Sequence, residues 1–156
     1  MSEPTSGLRR ASKAHPCPVC QGDHKCSRTA DGLVGRVVEA GSSASRVLLV
    51  SDRSNIVPAR ILRGGIPVIS TGRGDGTVDI RPLEVGRNPF RRGDIIVTSG
   101  TGGLYPPLVP IARIIRLDDD GALGLPLADP SQASFAIVER AFEPAALAAA
   151  AQPEPR

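Results

Sequence analysis

Aromatic residues are scarce in this 156-residue sequence: Phe90, Phe135, Phe142 and Tyr105 are all of them, and there is no tryptophan. A protein that binds single-stranded nucleic acid stacks bases on aromatic platforms, and four rings offer few. Any core must instead be built from Val, Ile and Leu, the β-branched and aliphatic stock of small sheets. Also missing is any apolar run approaching the ~20 residues of a membrane span. Residues 1–13 are polar and lack the hydrophobic stretch of a signal peptide. By its own sequence the chain is therefore expected to be soluble and to carry no export signal. Residues 32–143 contain no Cys, His or Lys. A serine nucleophile needs a base, usually His, within hydrogen-bond reach. Acyl transfer at Ser99 is therefore not expected, and the chain reads as a non-enzyme with no small-molecule substrate.

What is present points to strands. Gly 17 and Pro 15 are high for a helical protein and suit short strands joined by turns. Residues 77–81 (TVDIR) and 122–127 (ALGLPL) alternate apolar and polar or small positions. Residues 46–50 (RVLLV), 94–98 (DIIVT), 111–117 (IARIIRL) and 135–139 (FAIVE) are short apolar runs of strand length. Between them lie turn signals: 72–76 (GRGDG), 118–121 (DDDG) and 91–94 (RRGD). Asp-Gly favours the positive φ of tight hairpins. The Gly72-x-Gly74-x-Gly76 spacing is no dinucleotide loop, because a strand and not a helix follows it. Asp118 to Asp120 lack the alternating oxygens and closing Glu of a calcium loop and read as a solvated turn. The length suffices for one modest domain or two very small ones. The net charge of +3, from 19 basic against 16 acidic residues, is mild and mixed in sign along the chain.

Residue usage divides the chain in three. Residues 1–31 hold all the cysteines (Cys17, Cys20, Cys26), both histidines (His15, His24) and both lysines (Lys13, Lys25). Residues 32–143 are the strand-rich body. Residues 144–156 form an Ala/Pro/Glu tail without amphipathic pattern, expected to be disordered. In the first region Cys17-Pro18-Val19-Cys20 is a C-x-x-C turn that lets two thiolates reach one Zn²⁺. His24 and Cys26 complete a candidate four-ligand set. Residues 12–33 resemble the first knuckle of the zinc ribbons of phage- and plasmid-type primases, but the second knuckle, due within about twenty residues, is missing. The alternative to a zinc site is a flexible arm with free thiols.

From Gly32 the sequence resembles a bacterial cell-shape family. Residues 32–37 (GLVGRV) resemble that family's "GLVGRV" strand, and residues 45–52 (SRVLLVSD) its "ARVLLLTD". Residues 57–60 (VPAR) match a "VPVR" strand. Residues 92–106 (RGDIIVTSGTGGLYP) resemble the signature "GDLVVTSGxGGxFP", and 109–112 (VPIA) its continuation. On these motifs residues 32–143 are identified as the β-barrel region of the rod shape-determining MreC family. The resemblance implies an all-β fold of tandem small barrels, the first incomplete, on the periplasmic face of the bacterial inner membrane. It implies a non-catalytic scaffold of cell-wall elongation, with the elongation transpeptidase (a penicillin-binding protein), MreB, MreD and RodA as partners.

Further expectations attach to it. The family's membrane helix and coiled coil have no counterpart in this sequence. The strands preceding GLVGRV are expected to be missing too, leaving open edges near residues 36–40 and 46–50 that invite self-association. Leu108 stands where the family has Gly in "PxGxP", at a turn needing positive φ. Leu104 and Tyr105 on the Gly-rich loop 99–107 are the candidate partner contacts, with inward packing of both as the alternative. The competing function is a zinc-dependent nucleic-acid-binding fragment of a mobile-element primase-like protein, fused to a non-functional barrel.

Overall fold

The computed structural model describes residues 25–140. Among the described residues there are ten strands and no helix. The first three are β1 (Lys25–Arg28), β2 (Leu33–Ala40) and β3 (Ser45–Leu49). Then come β4 (Ile56–Ile61), β5 (Pro67–Gly72), β6 (Val78–Pro82) and β7 (Ile95–Thr98). The last three are β8 (Pro110–Leu117), β9 (Ala122–Pro126) and β10 (Ile137–Glu139).

Six of them close into a barrel in the order β4-β5-β6-β9-β8-β7, all pairs antiparallel. Closure removes the free edges that an open sheet of this size would expose. The period-2 pattern sets the register. Val57, Ala59 and Ile61 of β4, and Val78 and Ile80 of β6, point inward and are buried. Ile96, Ile111, Ile114 and Ala122 fill the rest of the interior. Gly124 of β9 also faces this core, where a Cβ would lie 2.7 Å from Ile80 Cδ1 and 3.1 Å from Ala112 Cβ. A bare position is needed there because the aliphatic neighbours already fill the space.

The remaining strands form an open sheet in the order β10-β1-β2-β3. It draws on both ends of the described chain, since Cys26, Ser27 and Arg28 pair with Glu139, Val138 and Ile137. This corrects two expectations. The sheet begins at Lys25, inside the Cys/His region, so the boundary at residue 31 falls within one sheet. Lys25–Arg28 also pairs with residues 33–37, so Arg36 and Val37 are flanked on both sides by β1 and β3 and form no edge. The KCSR segment has little intrinsic strand propensity; pairing with two neighbours overrides it. The sheet's outer strands are β10 and β3. The sheet and barrel share one apolar core, in which Cys26, Leu33 and Val50 pack with the barrel interior.

Leu108 meets the sequence expectation. Its φ is +67°, the one positive φ of a non-glycine among the described residues. Its side chain is more than half exposed and contributes little packing. A left-handed Leu costs about 1–2 kcal/mol, partly offset because Gly loses more entropy on folding. Leu108→Gly is therefore expected to stabilise the fold by about 0.5 kcal/mol, read as a higher urea midpoint at unchanged slope. A lower midpoint would show that the turn carries no strain.

Candidate partner-binding site

The loop joining β7 to β8, residues 99–109, carries the most specific sequence motif, and its geometry follows from its glycines. Gly100, Gly102 and Gly103 have φ values of +81°, +84° and +69°, which only glycine adopts readily. They fold the loop back so that Leu108 N–H reaches the carbonyl of Thr98. Thr98 is fully buried; its hydroxyl donates to Pro106 O at 2.5 Å and accepts from Val109 N at 2.9 Å. The loop base is thus a tight, satisfied turn.

Tyr105 does not project from this loop. It is 1% exposed, and its hydroxyl donates to Asn55 Oδ1 at 3.2 Å. Asn55, equally buried, sits at the end of the β3–β4 connection. Its Nδ2 donates to the carbonyls of Leu48 at 3.2 Å and Leu49 at 2.9 Å. The loop, the barrel and the last residues of β3 are therefore joined through one side chain. Burial pushes the Tyr105 phenol up to about 12, so it stays a neutral donor throughout the physiological range. Leu104 is half-buried and packs against the same core. Of the two readings left open by the sequence, inward packing is the one this geometry favours. The apolar side chains that the loop presents to solvent are Pro107 and Leu108. Sequence reasoning flagged Leu108 only for its backbone.

Of the candidate zinc ligands, Cys17, Cys20 and His24 lie outside the described residues. Cys26 is a core side chain of β1, fully buried, with Sγ 3.8 Å from Glu139 Oε2. Burial first, then the Glu139 charge, pushes its thiol up to about 11, which disfavours the thiolate that a metal requires. Glu139 in turn accepts from Arg28 Nη2 at 2.6 Å, and that hydrogen bond holds its carboxyl below the usual range. Among the described residues no group of three or more His, Cys, Asp or Glu side chains could hold a metal. Iodoacetamide at pH 8 should label Cys26 of the native chain at least about a hundredfold more slowly than in urea, read by peptide mass spectrometry. Comparable rates would show that β1 opens readily.

A closed six-stranded barrel beside an open sheet, with its signature loop pinned inward, defines a small all-β barrel module. The model of the family "Rod shape-determining protein MreC, barrel core" matches residues 25–133, and the chain belongs to that family. The cell shape-determining protein MreC of Escherichia coli (strain K12) is 38% identical over 103 residues, covering 64% of this chain and 28% of that protein. The chain thus spans little more than a quarter of that relative's length. The crystal structure of MreC from Pseudomonas aeruginosa superposes with a TM-score of 0.68 at 25% identity, covering 73% of this chain and 77% of that one. A further structure, the complex between penicillin-binding protein PBP2 and MreC from Helicobacter pylori, shares the fold with a TM-score of 0.57 at 14% identity, over 89% of this chain and 84% of that one.

Proposed function

We propose that this chain acts in cell-shape determination, as a non-catalytic scaffold of the cell-wall elongation complex that builds lateral-wall peptidoglycan. The observation that carries the reading is membership of the MreC barrel family, together with a solved complex of a family member with a penicillin-binding protein. The elongation transpeptidase is the partner on this reading, with MreB, MreD and RodA as further members of the assembly. The place of action is the periplasmic face of the inner membrane. No helix among the described residues is long and apolar enough to cross a membrane. Ser99, the one loop serine that sequence reasoning weighed as a nucleophile, has its hydroxyl engaged by Thr101 N–H at 3.1 Å, and no histidine lies among the described residues.

The test is binding of the full chain to the periplasmic part of its own organism's elongation transpeptidase, by biolayer interferometry. Weak saturable binding is expected, strengthened by about 10²–10⁴ when the chain is fused to an artificial dimeriser, because two linked sites bind with avidity. Leu108→Asp, at an exposed position, tests the loop as the contact. Absence of binding by the dimerised wild-type chain would sink the scaffold reading.

A further inference from the structure

An open groove of about 590 Å³, lined by no residue of the 99–109 loop, lies on the outer face of the barrel, walled by four arginines: Arg53, Arg73, Arg81 and Arg116. Four guanidinium groups do not make four anion sites. Arg81 donates to Asp79 at 2.8 Å and to Asp120 at 2.6 Å, and Arg116 donates to Asp118 at 3.1 Å. Those two are neutralised by their own carboxylates and serve as walls. Arg53 and Arg73 differ. Arg53 has no carboxylate within ion-pair distance among the described residues; its Nε donates to the carbonyl of Arg73 at 2.7 Å. Arg73 has only Asp75, at 3.7 Å and without a hydrogen bond.

Arg53 is also held in place. Gly74 has φ +80°, and a Cβ there would lie 2.9 Å from Arg53 Nε and 3.3 Å from its Cγ. The Arg53 stem therefore lies along a turn that has no side chain at that point. Gly74 N–H donates to Ser51 O at 2.7 Å, which clasps the β3–β4 connection to the β5–β6 turn. One nitrogen of Arg53 is spent on this anchoring, and its terminal nitrogens are free of partners among the described residues. An anchored guanidinium loses less entropy on binding than a loose one.

We infer that Arg53 and Arg73 form a receptor for a single carboxylate, the end or acidic side chain of a short peptide lying in the groove. Two planar forks suit a carboxylate. With Arg81 and Arg116 already paired to their own carboxylates, the groove offers a ligand only these two guanidinium groups, so a polyphosphate or a phosphate-rich surface, which needs more cations, is the poorer fit. This proposal stands apart from the transpeptidase contact and survives its failure.

The experiment is a titration of the ¹⁵N-labelled full chain with N-acetyl-Ala-Ala, as free acid and as C-terminal amide, each in both the L,L and D,D forms. A protein chain and a wall peptide offer the same carboxylate with opposite hands, so the preferred enantiomer identifies the source. Saturable shifts of the Gly72, Gly74 and Arg53 Nε signals by either acid, absent with its amide, are expected. Arg53→Ala combined with Arg73→Ala should weaken binding at least about tenfold, since charge-assisted forks supply most of it. Arg53→Lys, which keeps the charge but loses the fork, should weaken it about threefold. Arg92→Ala, at an exposed arginine outside the groove, should change nothing. Equal shifts by the amide, equal loss with Arg92→Ala, or tighter binding of tripolyphosphate than of the acid would overturn the proposal. A melting curve on each variant separates lost binding from lost fold.

Discussion

Tyr105→Ala is expected to destabilise the fold by about 3–5 kcal/mol, the cost of emptying a large aromatic site in a packed core. Tyr105 is among the largest fully buried side chains and packs in the one core cluster that spans sheet and barrel. The loss would be a large fraction of a total stability of about 5–15 kcal/mol. Two milder changes dissect it. Tyr105→Phe keeps the ring but leaves Asn55 Oδ1 without its donor, at a cost of about 1–3 kcal/mol. Asn55→Ala removes the acceptor together with both donations to Leu48 and Leu49, and should cost at least as much as Tyr105→Phe. Because the two residues share a hydrogen bond, the double change should cost less than the sum, with a coupling of about 1 kcal/mol. Urea unfolding at constant slope measures all four variants. An unchanged midpoint for Tyr105→Ala, with loss of transpeptidase binding, would return Tyr105 to the surface role and overturn its assignment to the core.

The same residue marks how far the sequence was legible. A tyrosine after three glycines in a loop reads equally as an exposed anchor, because flexible loops usually lie at the surface, and as a ring packed inward to hold the loop. What turns it inward is Asn55, fifty residues away, and no local pattern reports a partner at that distance. Local chemistry was legible where it alone decides. The alternation at 77–81 is β6, and the Asp-Gly turns at 73–77 and 118–121 join consecutive strands; the left-handed backbone at Leu108, by contrast, was implied by the family resemblance, since the family has glycine at that position. β1 was not legible. Four residues (KCSR) carry no period and weak propensity; they become a strand because β2 and β10 offer hydrogen-bond partners on either side. The arginine pair at the groove was likewise hidden. Arg53 and Arg73 are twenty residues apart, and only once Asp79, Asp118 and Asp120 have been assigned to other arginines is it visible that Arg53 has no carboxylate partner among the described residues and Arg73 only the loosely held Asp75.

Gly72→Ala is expected to be the most damaging single-methyl change in the barrel wall, costing about 3 kcal/mol or more, the upper end of overpacking. A Cβ at Gly72 would lie 2.1 Å from Asp52 O, 2.3 Å from Ser51 C and 2.5 Å from Asp52 C. All three are backbone atoms, so no rotamer change relieves the clash. Nor can the neighbouring segment drift away cheaply. Asp52 N–H donates to Leu49 O, Asn55 N–H to Asp52 O, and Gly74 N–H to Ser51 O. Gly72 itself donates to Asn55 O at 3.2 Å and pairs with Val78. Separating the two backbones would break several of these bonds and draw Asn55 away from Tyr105. Two other glycines calibrate the effect. Gly76 has open space around it but a φ of +87°, so Gly76→Ala should cost about 1 kcal/mol from backbone strain alone. Gly86 has open space and no left-handed φ, so Gly86→Ala should be neutral or stabilise by up to about 1 kcal/mol. Hydrogen exchange on Gly72→Ala should show protection lost first at residues 47–57 and 70–74, while β8 and β9 hold, because the lesion sits where the sheet's last strand enters the barrel. If Gly72→Ala proves as mild as Gly86→Ala, the close approach of β5 to the β3–β4 connection is wrong, and the anchoring of Arg53 on the neighbouring turn would fall with it.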